Sequence, residues 1–237
     1  MILINIFNKK YKMDCNIICV YGNNKFRDYL VYNIVYEYVN SGIVKFGVVI
    51  GKAFPYYEYI SDNIYIKYDD QVMEEYLGNI ETIYKKSNGN MDTSLLIIDS
   101  NLIDLNTEQW DNILENYQIY KINIVILMDK IMDYNMKKLN KYVNTVYILK
   151  QVDYNYDLII KLYKTFFKKY DKENFVDSYI ECTQTLYDIM IANLNSNTIF
   201  KYKIDMTIPR FNFNTYKIYE QNKIYRKRCI LSDIINV

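Results

Sequence analysis

Six short runs of aliphatic and β-branched residues set the strongest limit on how this chain can fold: NIICVY (16–21), KFGVVIG (45–51), NIYIKY (63–68), SLLIID (94–99), INIVILM (122–128) and TVYIL (145–149). Most are almost continuously apolar, the pattern of strands covered on both faces rather than on one. Between them lie stretches of helical period. Leu30, Val31, Ile34, Val35 and Tyr38 recur on one helical stripe, as do Val72, Tyr76, Ile80, Ile83 and Tyr84. Asn106 or Thr107, with acidic residues close behind, caps a helix through Asn116, and Leu158, Ile159, Leu162, Tyr163, Phe166 and Phe167 line another. The order βαββαβαββα predicts an α/β fold, a mostly parallel sheet with helices on both faces.

The only two prolines, Pro55 and Pro209, fall in connections, and KKSNGNMD (85–92) reads as a surface loop. Past residue 171 the character changes. A helix over 174–187, a β-hairpin of DIMIAN with TIFKYKI, and a basic, tyrosine-rich tail, KIYEQNKIYRKR (217–228), are expected there. Residues 1–171 are therefore taken as the core and 172–237 as a C-terminal addition packed on it.

Composition narrows the chemistry. The chain has no histidine, which removes imidazole as general base, proton shuttle or metal ligand and with it every Ser-His or Cys-His scheme. Cysteines 15, 19, 182 and 229 form no CxxC pair, so no redox motif, structural zinc site or other metal centre is expected, and a reducing compartment fits. A formal net charge of +1 gives no global field toward nucleic acid or a membrane. The 28 tyrosines, alongside abundant Asn, Ile and Lys, read as the output of an AT-rich genome more than as chemistry. No apolar run is long enough to span a bilayer and the N-terminal MILINIFNKKYKMD lacks signal-peptide features, so an intracellular protein without membrane contact is expected.

Four places could hold chemistry. In VYGNNKFRDYLVYNIV (20–35) a strand ends at Gly22 and opens a helix, the setting of a phosphate loop. Counted from Gly22 in GxxxxGK[ST], however, the second glycine falls on Arg27, the lysine on Asp28 and the hydroxyl on Tyr29. A carboxylate there opposes a triphosphate: two like charges about 4 Å apart repel by about 4 kcal/mol at an effective dielectric near 20. Gly22, Asn23, Asn24, Lys25 and Arg27 are thus at most a vestigial nucleotide site, and an ordinary strand-to-helix turn is the plainer reading. The second place is SLLIIDSNLIDL (94–105), where Asp99 ends an apolar strand as a magnesium-shell aspartate would, but Ser100 follows where a second acid would polarise water. The third is INIVILMDK (122–130), a buried strand ending in a polar residue at the edge where ligands of open α/β sheets collect. The fourth is the tail, whose Lys217, Lys223, Arg226, Lys227 and Arg228, interleaved with tyrosines, could follow a nucleic-acid backbone or simply be solvated.

Taken in order, ICVYG, FGVVIGKAFPYYEYI, EYLGNIETIYKK, SLLIIDS, ILENYQIYKINIVILMD and YVNTVYILK resemble the genome-packaging ATPases of poxviruses and other large nucleocytoplasmic DNA viruses, in the FtsK–HerA group of P-loop NTPases. CTQTLYDIMIANLNSNTIFKYKI is similar to the closing hairpin of that family. The resemblance implies a RecA-like core with a C-terminal helix and hairpin. It also implies that the arginine of the family's FGRH falls near Gln118 and its strand-end glutamine near Asp129, so that its catalytic letters are absent. The expectation is a pseudo-ATPase with no catalytic residues and no cofactor, in a structural or DNA-packaging role. Its partners would be viral DNA or packaging and virion proteins, as a homo-oligomer or beside an active paralogue, in the host-cell viral factory or the virion. Two alternatives stand beside it. One is a working NTPase using ATP and magnesium, with Lys25 or Arg27 replacing the lysine; the other is a protein-interaction module with no nucleotide or DNA role.

Overall fold

The computed structural model of the protein describes residues 15–22, 25–51, 63–65, 70–101, 107–129, 138–151, 156–207, 216–220 and 223–227. Among these residues ten strands form one sheet: β1 (Ile17–Tyr21), β2 (Val44–Ile50), β3 (Asn63–Tyr65), β4 (Thr93–Asp99), β5 (Ile122–Met128), β6 (Thr145–Leu149), β7 (Asp188–Asn193), β8 (Thr198–Lys203), β9 (Tyr216–Glu220) and β10 (Lys223–Lys227). Among the described residues five helices accompany them: α1 (Arg27–Asn40), α2 (Asp70–Lys86), α3 (Glu108–Asn116), α4 (Tyr156–Phe166) and α5 (Lys172–Cys182).

The sheet order is β10-β9-β3-β2-β4-β5-β1-β6-β7-β8. From β9 to β6 every neighbouring pair is parallel, while β10 at one end and β7 and β8 at the other run antiparallel to their neighbours. The expected mostly parallel sheet is therefore present, and the six strands read from apolar runs all form. β1, β5 and β6 are buried along their whole length, as their unbroken apolar sequences require.

Alternation along the strands divides the core in two. Ile17, Cys19, Tyr21, Leu96, Ile98, Ile124 and Ile126 pack with Met73 and Ile80 of α2, Trp110 and Ile113 of α3, Leu162 of α4 and Phe175 of α5. Ile18, Val20, Leu95, Ile97, Val125 and Leu127 face the other way, onto Leu30, Val31, Ile34 and Val35 of α1. Helices thus lie on both faces, with α1 covering one of them. Thr107 caps α3 as expected, its hydroxyl accepting from the Trp110 N–H at 3.3 Å; Asn106 lies outside the described residues.

Two expectations need correction. The helix expected over 174–187 is α5 and ends at Cys182. Thr183 leaves helical geometry at φ −117° and ψ 40°, and Asp188 accepts from the Thr185 N–H at 3.1 Å, turning the chain into β7. The basic segment 217–228 is not a simple tail over its described part. β9 and β10 form an antiparallel hairpin that joins the sheet beside β3, with Lys217 in register with Arg226 and Lys223 with Glu220. A repeat of charged and aromatic residues hides the strand because no apolar run marks it.

Candidate functional site

β1 lies between β5 and β6, yet the chain continues from it to β2, beyond β5 and β4. At such a reversal the crossovers leave toward opposite sides, and the crevice at the carboxyl ends of the strands collects ligands. At the opposite edge β1 is pinned: the Asn16 N–H donates to Asn123 Oδ1 at 2.9 Å and the Ile17 N–H to Asn144 Oδ1 at 2.7 Å.

At the carboxyl edge the β1–α1 turn starts at Gly22, whose N–H donates to the Met128 carbonyl at 2.9 Å. Its φ of +125° suits only glycine, and a Cβ there would lie 2.6 Å from Gln151 Nε2 and 3.1 Å from Leu149 Cβ. Gln151 is held in place by donating to the Leu149 carbonyl at 3.0 Å. Asn23 and Asn24 lie outside the described residues. Lys25 is exposed, with its ammonium 5.2 Å from the ring centre of Phe26. Phe26 itself turns away from the crevice into the core beneath α1.

Arg27, the first residue of α1, pairs its Nη1 with Asp129 Oδ1, just past the end of β5. Both side chains are largely covered, 11% and 22% exposed. Asp129 Oδ2 accepts from Asn101 Nδ2 at 3.1 Å, and the same amide nitrogen reaches Asp99 Oδ1 at 2.9 Å. The Asn101 N–H also donates to Asp99 Oδ1, at 3.0 Å. One polar chain, Arg27–Asp129–Asn101–Asp99, therefore links α1, β5 and β4 across the crevice. Buried beside it, Tyr21 has a hydroxyl pushed well up by burial, with Tyr179 and Asp129 adding to the effect, so it stays protonated.

The residues singled out in the sequence are distributed unevenly. Gly22, Lys25, Arg27 and Asp99 all reach this edge, and Arg27 joins Asp99 only through Asp129 and Asn101. Gln118 lies in the turn before β5, at the opposite edge, where its Nε2 donates to the Tyr117 hydroxyl at 3.1 Å. Lys217, Lys223, Arg226 and Lys227 lie in the β9–β10 hairpin, and Arg228 is outside the described residues. Spacing along the sequence could not reveal the Arg27–Asp129 pair, whose members stand 102 residues apart. Among the described residues no cluster of three or more acidic or cysteine side chains is placed to hold a metal ion, and no helix is long and apolar enough to cross a membrane.

No protein-family model and no curated protein matches the sequence. Solved structures do match. The genome-packaging NTPase B204 of Sulfolobus turreted icosahedral virus 2, in complex with ATP-γS, superposes with a TM-score of 0.60 at 14% identity, covering 81% of this chain and 98% of B204. B204, the DNA-packaging ATPase from Sulfolobus turreted icosahedral virus, gives 0.57 at 17% identity over 81% of this chain and all 100% of B204. This protein has the fold of the FtsK–HerA-type genome-packaging NTPases. The cytoplasmic domain of the type VII secretion ATPase EccC from Thermomonospora curvata shares it too, with a TM-score of 0.57 at 8% identity, over 80% of this chain and 25% of EccC.

In P-loop NTPases the turn after the first strand is the phosphate loop and a neighbouring strand ends at the metal-binding edge; the corresponding edge of this chain holds the following groups. Arg27 is committed to Asp129, both acids at the strand ends accept from Asn101, and Asp28 adds a carboxylate in the first turn of α1. A carboxylate in that turn interacts favourably with the positive end of the helix, the same field a phosphate would use. Beside Asp99, Ser100 donates its N–H to the Leu127 carbonyl at 2.9 Å, and its hydroxyl is no substitute for a carboxylate as a base at neutral pH.

Proposed function

We propose that this protein is a pseudo-ATPase, a packaging-NTPase scaffold that does not hydrolyse nucleotide and serves a structural or DNA-packaging-associated role. The observation that carries this reading is the Arg27–Asp129 pair. Arg27, the cation that opens α1, is neutralised by an acid of the chain itself, and a triphosphate drawing on it would have to break that pair and approach Asp28. The absent lysine, second acid and arginine support the same reading, since an arginine finger alone is worth about 10³–10⁵ in rate. Retention of the apolar scaffold beside loss of the polar chemistry is what a fold kept for assembly looks like.

On this reading the partners are viral DNA or packaging and virion proteins, with the chain acting as a homo-oligomer or beside an active paralogue in the viral factory or the virion. The shared fold with viral DNA-packaging NTPases supports that context, as does the sequence of the β9–β10 hairpin, which contains Lys217, Lys223, Arg226 and Lys227.

The test is ATP turnover by the purified chain with magnesium, beside an Asp99→Asn variant. The expected result is the same background rate for both. Turnover by the native chain that Asp99→Asn abolishes would overturn the proposal. For the DNA role, affinity for duplex DNA should fall with salt between about 50 and about 200 mM in proportion to the phosphates contacted. Binding with no salt slope, or none at all, removes DNA from the account.

A further inference from the structure

Charge is unevenly placed along this chain, and the fold concentrates it. Between residues 138 and 172 stand eight lysines against three aspartates, with no glutamate and no arginine, in a chain whose formal net charge is +1. Two segments from that stretch meet at the edge of the sheet opposite Gly22. The turn 138–144 feeds β6 there, and its Asn144 N–H donates to the Ile17 carbonyl at 2.9 Å, at the start of β1. The end of α4 reaches the same edge, where the Thr165 carbonyl accepts from Asn140 Nδ2 at 2.5 Å.

Each segment is anchored by an apolar side chain and leaves its lysines outside. Leu139 and Phe167 are buried in one core cluster, and Phe167 stacks on Phe175 of α5 with ring centres 4.5 Å apart. Lys141, Lys164, Lys168 and Lys169 are exposed. Lys138 pairs with Asp111, and Asp171 caps α5 by accepting from the Asn174 N–H at 2.9 Å.

Folding does not require this arrangement. A lysine in the last turn of a helix complements its carbonyl end, and Lys164 fills that role for α4. Lys168 follows four residues later, where the Phe167 N–H still bonds the Tyr163 carbonyl at 2.9 Å, and like charges at that spacing oppose a helical turn. A cost kept on a well-anchored surface points to a partner. Contacts between proteins are depleted in lysine, whereas those with nucleic acid are far more positive. We propose that Lys141, Lys164, Lys168 and Lys169 form a surface that binds the phosphate backbone of nucleic acid, without reading its sequence, at the edge of the sheet opposite the β1–α1 turn. Its ligand rests in part on the DNA-associated role proposed above; its location rests on charge and packing alone.

Fluorescence anisotropy of a short labelled DNA duplex, titrated with the full chain between about 50 and about 200 mM salt, tests this. Each phosphate contact contributes about 0.9 to the slope of log K against log salt, so Lys168→Gln with Lys169→Gln should make the slope shallower by about 1.8. Lys168→Arg with Lys169→Arg keeps both charges and should restore the native slope. The β9–β10 hairpin is intact in every variant and lies at the far end of the strand order from β6, so it contributes equally throughout. Binding with the native slope in the glutamine pair would overturn this surface and leave the DNA role standing, whereas no salt-dependent binding by the native chain would remove both. An arginine pair that behaves like the glutamine pair would also overturn it, because the positions would then act through something other than charge. Poly-glutamate bound as tightly as the duplex, and lost in the glutamine pair, would overturn the nucleic-acid assignment in favour of an acidic protein.

Discussion

The interiors of β1, β4 and β5 and the tips of the same strands follow different rules. Inside, every residue of β1 and β5 is buried, and neighbours alternate between the helices of one face and α1 on the other. At the tips, within a few residues, the contacts become polar and pairwise: Gly22 to Met128, Arg27 to Asp129, Asn101 to both Asp129 and Asp99. An apolar interior accepts any side chain of suitable shape, so it can persist while sequences diverge to the 14–17% identity seen against B204. A tip is a set of matched partners, and replacing one letter changes what the tip can do. On the proposed reading, that difference is what lets the scaffold be kept while the chemistry is not.

The sharpest way to break the comparison is to damage an interior. Ile126, fully buried in the middle of β5, contacts the helix side of the core, and truncating it leaves a cavity that packed strands cannot collapse around. Ile126→Ala should cost about 3–4 kcal/mol in urea unfolding. A loss below about 1 kcal/mol would mean that the interior is as forgiving as a surface and that the contrast with the tips is empty.

Next in size is the ion pair. Asp129→Ala leaves the Arg27 guanidinium largely covered and without its carboxylate. Removing one partner of a fully buried pair costs about 3–5 kcal/mol, and partial exposure of both side chains here reduces the expectation to about 2 kcal/mol. Adding Arg27→Met to Asp129→Ala should recover most of that loss, since it deletes the stranded charge and leaves an apolar stem. A double mutant no better than Asp129→Ala alone would show that the two residues do not act as a pair.

How far the sequence reveals this molecule obeys the same division. The six apolar strands and the α/β class were legible because burial on both faces leaves an unbroken signature that no local contact can override; INIVILM and TVYIL match β5 and β6 residue for residue. The β9–β10 hairpin was not, since a strand of alternating lysine and tyrosine has the composition of a solvated tail. At the site, the replaced letters at 27, 28 and 29 could be read by counting from Gly22. What could not be read is that Arg27 finds Asp129, that Asn101 bridges two acids, or that Asn33 pairs its amide with the backbone of Asp205 across 172 residues. Those pairings are made by the sheet order, and one sequence contains no record of which strand ends become neighbours.

A smaller effect is expected at Gly22. Alanine there must accept φ +125° and a Cβ 2.6 Å from Gln151 Nε2, so Gly22→Ala should lose about 1–2 kcal/mol. The two causes separate in a second variant. Gln151→Ala removes the collision with Gln151 but neither the backbone conformation nor the 3.1 Å approach to Leu149 Cβ, so Gly22→Ala in the Gln151→Ala background should lose less, with the residual loss reporting the dihedral and Leu149 together. Equal losses in both backgrounds would rule out the collision with Gln151.

The smallest predicted effect is one of pH, and it also belongs to the tips. Burial pushes the Asp188 carboxyl up. Hydrogen bonds from Thr185 and the ammonium groups of Lys201 and Lys203 outweigh that, leaving the carboxyl below its usual 3.8. Asp205 is held low as well, by the hydroxyl and N–H of Thr207. A carboxyl lowered in the folded state binds its proton more readily when unfolded, so its contribution is complete above about pH 4 and is lost as the pH falls toward the folded value. Thermal melts between about pH 5 and about pH 3 should therefore show a declining midpoint that Asp188→Asn flattens in part and Asp188→Asn with Asp205→Asn flattens further. Because both acids lie in or beside the β7–β8 hairpin, hydrogen exchange at low pH should speed up first at 198–207 while β1, β4 and β5 stay protected. Loss of protection in β5 at the same pH as in β8 would mean that acid acts on the sheet as a whole, and the separation between interiors and tips would not extend to the molecule's response to protons.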